Sequence, residues 1–333
     1  MNPVAIDGIG AITPGAGDAG GSMGLIYTET RVTSELPRVG RRAPELSGAK
    51  TPIPDDVVGL DRLVQLGSQA LWQAIDQEMA AAKIALLVCA PAQADEPALA
   101  GHADEFLARL ASESQIALVP RASRVLAFGR DAIFEALPAA LGALAQPEVA
   151  AACLLGVDSL VTKPRLRQFI ERGASAGGDL PPLGEAAAAV LLCRRPRPSA
   201  LASLAGLGTA ERKASETPPG KGLLAAIDRA VADAGLGQPA FAGLVCDASG
   251  TTLEADELAW AKNAGVLGAS AKMESALPHL ATGDAGAAMG VLALAAAAFF
   301  IGKQAWQGTG LCCFTSPAKR GAAILAPLGG RKA

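Results

Sequence analysis

Histidine, aromatic side chains and net charge are all in short supply in this chain. Two histidines, His102 and His279, serve 333 residues, and aromatics make up 4% of the total. With so few imidazoles, and no cluster of ligating side chains around them, neither a metal centre nor a cofactor is expected. The formal net charge is −3 and no basic run is present. That excludes the electrostatic footprint of a nucleic-acid binder or of a protein held on an anionic membrane. The N-terminus, Met1-Asn2-Pro3-Val4-Ala5-Ile6-Asp7, has no basic n-region, so no signal peptide is expected.

Half the residues are hydrophobic and 38 are glycine, a composition suited to helices pressed closely against sheets. Of six cysteines, Cys89, Cys153, Cys193 and Cys246 sit inside apolar, strand-like runs. They read as reduced, buried thiols, which fits the cytoplasm. The adjacent Cys312-Cys313 cannot easily close a disulfide and reads as a further pair of core thiols. Residues 285–302 carry no charge, and their length approaches the roughly 20 residues that a bilayer helix needs. The run is mostly Ala and Gly, however, so a helix buried on all sides of a large core is the expected form.

Along the chain, strands and helices alternate. Val4–Ile12 is the first expected strand, and residues 15–57, rich in Gly, Pro and Arg, read as a loop or cap. Leu63, Leu66, Ala70, Leu71, Ala74 and Ile75 recur at helical spacing over residues 61–78, with Asp61 placed to cap the start. Strands at 84–89, 116–119, 149–155 and 186–193 are separated by helices at 97–114, 131–144 and 164–172. Pro138 is expected to kink the second of these. Arg194-Arg195-Pro196-Arg197-Pro198 is the natural junction, dividing the chain into halves 1–197 and 198–333. Beyond it come strands at 200–207 and 241–246, helices at 221–234, 253–264 and 284–302, and a terminal hairpin of 311–314 with 322–325. Buried strands alternating with helices argue for an α/β fold with sheets covered on both faces.

Five local motifs carry a resemblance to the β-ketoacyl synthases. The opening Val4-Ala5-Ile6-Asp7-Gly8-Ile9-Gly10-Ala11-Ile12-Thr13-Pro14-Gly15 is similar to their first strand and turn. Leu155-Gly156-Val157-Asp158-Ser159-Leu160, Gly184-Glu185-Ala186-Ala187-Ala188 and Asp247-Ala248-Ser249-Gly250-Thr251 follow in the family's order. The fifth, His279 to Ala288, resembles the histidine-then-glycine motif that opens the buried C-terminal helix. The resemblance implies a thiolase-like, five-layered αβαβα fold built from two similar halves around a buried pair of central helices. It also implies a two-fold dimer formed through edge strands, here around residues 116–128.

The chemical centres of that family look emptied. A decarboxylating condensation needs a thiolate at a helix N-terminus, whose dipole lowers the thiol pKa. Two histidines, or a histidine and an asparagine, must also stabilise the enolate. The expected nucleophile falls at Phe128, Gly129 and Arg130, and no cysteine lies between Cys89 and Cys153. Ser123, the nearest serine, is several residues too early. Ser249 stands where the resemblance puts a histidine, and Glu274 where it puts a lysine, with Lys272 nearby. The expected oxyanion-hole loop reads Phe314-Thr315-Ser316-Pro317-Ala318-Lys319, and Pro317 lacks an N–H. Of the four parts only His279 survives.

His279 is then either a relic catalytic residue or, the favoured reading, a structural histidine capping helix 284–302. Glu185 and Asp158 could form an acid/base pair but more simply satisfy buried backbone donors. Arg130 and Asp131 could bind an acidic ligand, but an exposed or internally paired salt bridge is the commoner arrangement. The function expected is that of a catalytically degenerate ketosynthase-like protein acting by binding. It would dimerise with itself or with a ketosynthase-like protein, and an acyl carrier protein or a secretion effector is a further partner to expect. The settings are a chain-length-factor-like subunit or a loading factor for a type VI secretion effector. The competing class is an acyltransferase of the 3-oxoacyl-ACP synthase type, or a hydrolase, that binds an acyl thioester with other residues.

Overall fold

The computed structural model describes residues 2–39, 46–176, 181–213, 219–237, 240–263 and 273–329. In the first half, strand β1 (Val4–Ile12) is followed by helices α1 (Ala19–Tyr27), α2 (Gly59–Ala74) and α3 (Gln77–Ala80), then strand β2 (Lys83–Cys89). Helix α4 (Ala103–Ser114) leads to the short strands β3 (Ala117–Leu118) and β4 (Arg124–Leu126). Helix α5 (Ala132–Leu144), strand β5 (Ala151–Ser159), helix α6 (Lys163–Ala176) and strand β6 (Glu185–Cys193) complete this half. The second half runs β7 (Ala202–Glu211), α7 (Lys221–Asp233), β8 (Phe241–Cys246), α8 (Thr252–Asn263), β9 (Glu274–Ala276), α9 (Pro278–Thr282), α10 (Met289–Gly302), β10 (Thr309–Thr315) and β11 (Lys319–Ala326).

The same topology occurs twice. In the first half the strands lie in the order β3-β2-β5-β6-β1, with β4 continuing the edge beside β2. In the second half the order is β9-β8-β10-β11-β7. In each, the last strand of the half is antiparallel to both neighbours while the pairs nearest the edge are parallel. The two sets join where Val4–Ile6 pairs with Ala202–Leu204.

Three apolar cores separate the layers. Side chains of α2 and α4 pack on one face of the first strand set, those of α7 and α8 on the outer face of the second. Between the sets lie α5 and α10. Apart from Phe299 and Gly302, every residue of α10 is buried, which places the uncharged run in the protein centre. No helix among the described residues is long and apolar enough to cross a membrane.

The glycines explain how tightly the outer helices approach. A Cβ on Gly10 of β1 would lie 1.9 Å from the Ala70 carbonyl oxygen of α2. One on Gly208 of β7 would lie 2.0 Å from the Ala226 oxygen of α7. First strand and covering helix thus meet alike in both halves, with backbone where a side chain would be. Because backbone cannot rotate aside, Gly208→Ala is expected to cost about 3 kcal/mol, the upper end for overpacking. Urea denaturation measures it, and a midpoint unchanged from wild type would contradict this account of the packing.

Several sequence expectations are corrected. The stretch 15–57 contains α1, whose Asp18 caps the Gly21 N–H at 2.8 Å while Gln73 Oε1 accepts from Ala19 N at 2.7 Å. Asp61 does not cap α2, which starts at Gly59; it pairs instead with Arg109 at 2.8 Å. The helix expected over 61–78 breaks at Ile75, and Asp76 caps α3. That expected over 97–114 breaks at Gly101, where φ is +78°. The run 284–302 is helical only from Met289, after a 3₁₀ turn at 286–288 that begins at Gly286 with φ +50°. His279 therefore cannot cap that helix and lies in α9, one element earlier. The turn is held by Asp284, which accepts from Gly286 N at 2.9 Å, and by Asp158, which accepts from Ala287 N at 3.0 Å.

Candidate functional site

The elements at the carboxyl ends of β4, β5, β8 and β10 bring most of the singled-out residues together. Phe128, Gly129 and Arg130 form the turn between β4 and α5. The Arg130 guanidinium reaches across the central layer, donating to Asp284 Oδ1 at 2.6 Å and to the Asp247 carbonyl at 2.7 Å. Of the arrangements open to Arg130, the structure shows the internally paired salt bridge. Its neighbour Asp131 accepts from Ser316 Oγ at 2.6 Å. The loop containing Pro317 is thereby tied to the head of α5.

Asp247, at the end of β8, accepts from the Thr315 amide at 2.6 Å and hydroxyl at 2.9 Å. The Ser249-Gly250-Thr251 turn lies directly on the imidazole: a Cβ on Gly250 would be 2.9 Å from His279 Cδ2. Ser249 Oγ, however, donates to Glu254 Oε2 at 2.5 Å, and Thr251 Oγ1 donates to the same oxygen at 2.9 Å. The serine proton is thus committed to a carboxylate, and buried His279 Nδ1 has no hydrogen-bond partner.

Burial governs the ionisation of this cluster. Burial raises Asp247 to about 7 and Asp158 to about 6, although Arg130 and Arg165 respectively pull them down. Burial disfavours the Arg130 charge, yet Asp284, Asp247 and Glu254 together hold its pKa well above the ordinary value. Glu254 is held below the usual range: burial opposes its charge, but Arg130 and the Ser249 bonds outweigh it. Burial also lowers His279, against the pull of Asp284 and Glu254. An imidazole whose Nδ1 is unpaired, beside a serine bound to a carboxylate, lacks the nucleophile–base contact that covalent catalysis requires.

A cavity of about 290 Å³ opens beside the turn, lined by Phe128, Arg130, Asp158, Arg165 and Phe169 among others. No cysteine lines it. All six thiols are buried, and burial pushes those of Cys89 and Cys153 up to about 12. Among the described residues no group of His, Cys, Asp and Glu side chains could hold a metal.

Glu274 is not brought to this cluster. It lies on the edge strand β9, where it accepts from Tyr27 Oη and Trp306 Nε1, each at 3.1 Å. Lys272 lies outside the described residues. Glu185 is engaged by a buried ion pair and by backbone and hydroxyl donors. It is fully buried, accepts from Thr51 N at 2.7 Å and Ser159 Oγ at 2.6 Å, and forms an ion pair with Arg62. Asp158 accepts the backbone N–H groups of Ser159 and Ala287, the structural role expected for it.

Two site residues escaped the sequence reading, Glu254 and Arg165. Thr251-x-x-Glu254 has the spacing of a helix capping box, and the Glu254 amide does donate to Thr251 Oγ1, at 3.4 Å. That pattern could have singled out Glu254. Arg165 gives no such signal, since a buried arginine in an otherwise polar helix reads like a surface one.

No protein-family model and no curated protein matches the chain. Solved structures do. One is a type II polyketide acyl-carrier protein in complex with its ketosynthase bound to the hexaketide: 14% identity over 98% of this chain and 100% of that one, TM-score 0.76. The ishigamide ketosynthase/chain length factor matches at 18% identity over 98% and 100% of the two chains, with a TM-score of 0.73. The oxazolomycin ketosynthase domain KS7 of Streptomyces albus JA3453 matches at 15% identity over 98% of this chain and 74% of that one, TM-score 0.76. With its repeated strand order and central helix pair, the chain has the thiolase-like fold of the ketosynthases.

Proposed function

We propose that this chain is a non-condensing ketosynthase-like protein, a partner or accessory subunit rather than a condensing enzyme. The observation that carries the reading is the turn at the head of α5. There Arg130, locked to Asp284 and Asp247, occupies the region where a condensing enzyme needs a thiolate, and none of the six cysteines lines the adjoining cavity. Removing the nucleophile from a group of residues that act as a unit abolishes most of their joint effect.

The partner most in keeping with the fold is a second thiolase-like chain, either another copy or an active ketosynthase. The short edge strands β3 and β4 offer the pairing surface, because their outer side has no strand neighbour among the described residues. Similar structures include a ketosynthase/chain length factor and a ketosynthase with its acyl-carrier protein. A chain-length-factor-like role and a loading role for a secretion effector both belong to this reading. So does the division into halves at residue 197, on either side of which the strand order repeats.

The test is incubation of the purified protein with malonyl- and acyl-thioesters, followed by intact-mass spectrometry. The mass is expected to stay unchanged. A stable covalent acyl adduct would move the chain to the competing class of acyltransferases or hydrolases and end the proposal.

A further inference from the structure

Among the described residues three arginines are buried: Arg62, Arg165 and Arg320. Two of them are fully matched. Arg62 donates to both Glu185 oxygens, at 2.6 and 2.8 Å, and to the Pro54 and Val57 carbonyls. Arg320 donates to both Glu257 oxygens, at 2.6 and 2.9 Å, and to the Ser316 and Lys319 carbonyls. These are the paired forks that a desolvated guanidinium needs.

Arg165 is 7% exposed and has no such match. Its nearest carboxylate oxygens are Asp158 Oδ1 at 3.5 Å and Asp95 Oδ2 at 3.8 Å. Among the described residues its one hydrogen bond is a 3.5 Å contact with Gln168 Oε1, and its buried Nε has no partner. The other acids nearby are engaged elsewhere. Asp158 accepts two backbone amides, Asp284 holds Arg130 and Asp131 accepts from Ser316. The guanidinium borders the 290 Å³ cavity, together with the apolar Phe128, Leu160 and Phe169.

We propose that this cavity is a binding site for a small organic carboxylate, whose two oxygens complete the fork of Arg165 and whose apolar body lies against Phe128, Leu160 and Phe169. A carboxylate fits because the unmatched group is planar and donates in parallel pairs. The volume, at the lower limit of small-molecule sites, selects a compact ligand. The proposal goes beyond the partner role and does not depend on it.

Isothermal titration calorimetry of the full chain with hexanoate and benzoate, against hexanamide and benzamide, tests the site. Saturable one-to-one binding of at least one carboxylate is expected, with the matching amide at least tenfold weaker. Arg165→Met should weaken binding at least tenfold, while Arg165→Lys, which keeps the charge and loses the fork, should fall between. Ala92→Phe, which narrows the cavity and leaves Arg165 untouched, should also abolish binding and keeps the test valid if Arg165→Met does not fold. The proposal fails if neither carboxylate saturates the wild type, if the amide binds equally well, or if Ala92→Phe or a folded Arg165→Met binds like wild type. Covalent acylation is read as a mass increase and partner association as complex formation, neither of which is needed for a carboxylate to titrate into the cavity, so they succeed or fail separately.

Discussion

Glu185→Ala is expected to destabilise the protein by about 3–5 kcal/mol, the cost of leaving one member of a buried ion pair without its partner. Glu185 is fully buried at the start of β6, and both of its oxygens bind Arg62, which is 2% exposed. The carboxylate also gathers the Thr51 amide and hydroxyl and the Ser159 hydroxyl. Alanine would strand a guanidinium and three further donors where water cannot replace the acceptor. Glu185→Gln keeps the shape and one acceptor but loses the charge, so it should cost less than alanine. Chemical denaturation of the three proteins measures the series. A glutamine variant as unstable as alanine, or an alanine variant within 1 kcal/mol of wild type, would show that the ion pair is not what holds this corner. Since Thr51 closes the segment before α2, the loss should also release that segment, as faster amide exchange around residues 46–57.

The legible parts of this fold were those in which burial writes a continuous signal. The apolar runs of β2, β5, β6 and β8, and the uncharged run ending in α10, were visible because both faces of each are covered and no polar residue interrupts them. Helix α1 was not legible. Its sequence, Ala19-Gly20-Gly21-Ser22-Met23-Gly24, has poor helix propensity, and tertiary contacts hold it, with Met23 and Ile26 fully buried. Edge strands such as β4 and β9 span three residues each, too few to show a period of two. The relic positions around Phe128, Ser249 and His279 were readable by register, and the structure gathers them; Glu274, placed by the same counting, lies apart. Pairing could not be read at all. That Arg62 and Arg320 are matched while Arg165 is not depends on residues more than sixty positions away in the first two cases.

Stability should also carry a pH signature from the centre of the molecule. Burial raises Asp247 to about 7 from the ordinary 3.8, so between those values the native state keeps a proton that the unfolded chain has released. Stability from that proton is complete below about pH 4 and is lost as the pH rises through 7. Asp158, raised to about 6, acts in the same direction over a narrower range. His279 acts the other way. Its pKa is lowered by burial, so its contribution is present above the ordinary 6.5 and is lost as the pH falls through its lowered folded value. The wild-type profile therefore mixes opposing contributions, and a substitution is needed to isolate one. Asp247→Asn removes the titration while its amide oxygen can still accept from the Thr315 amide and hydroxyl. Relative to wild type, the variant should gain stability as the pH rises from 5 to 8, by roughly 2–3 kcal/mol, the part of a three-unit shift that falls within that interval. Urea denaturation at each pH gives the difference directly. A difference independent of pH, or one that moves against the variant as the pH rises, would mean that Arg130 keeps Asp247 ionised and that the cluster stays charged across the whole range.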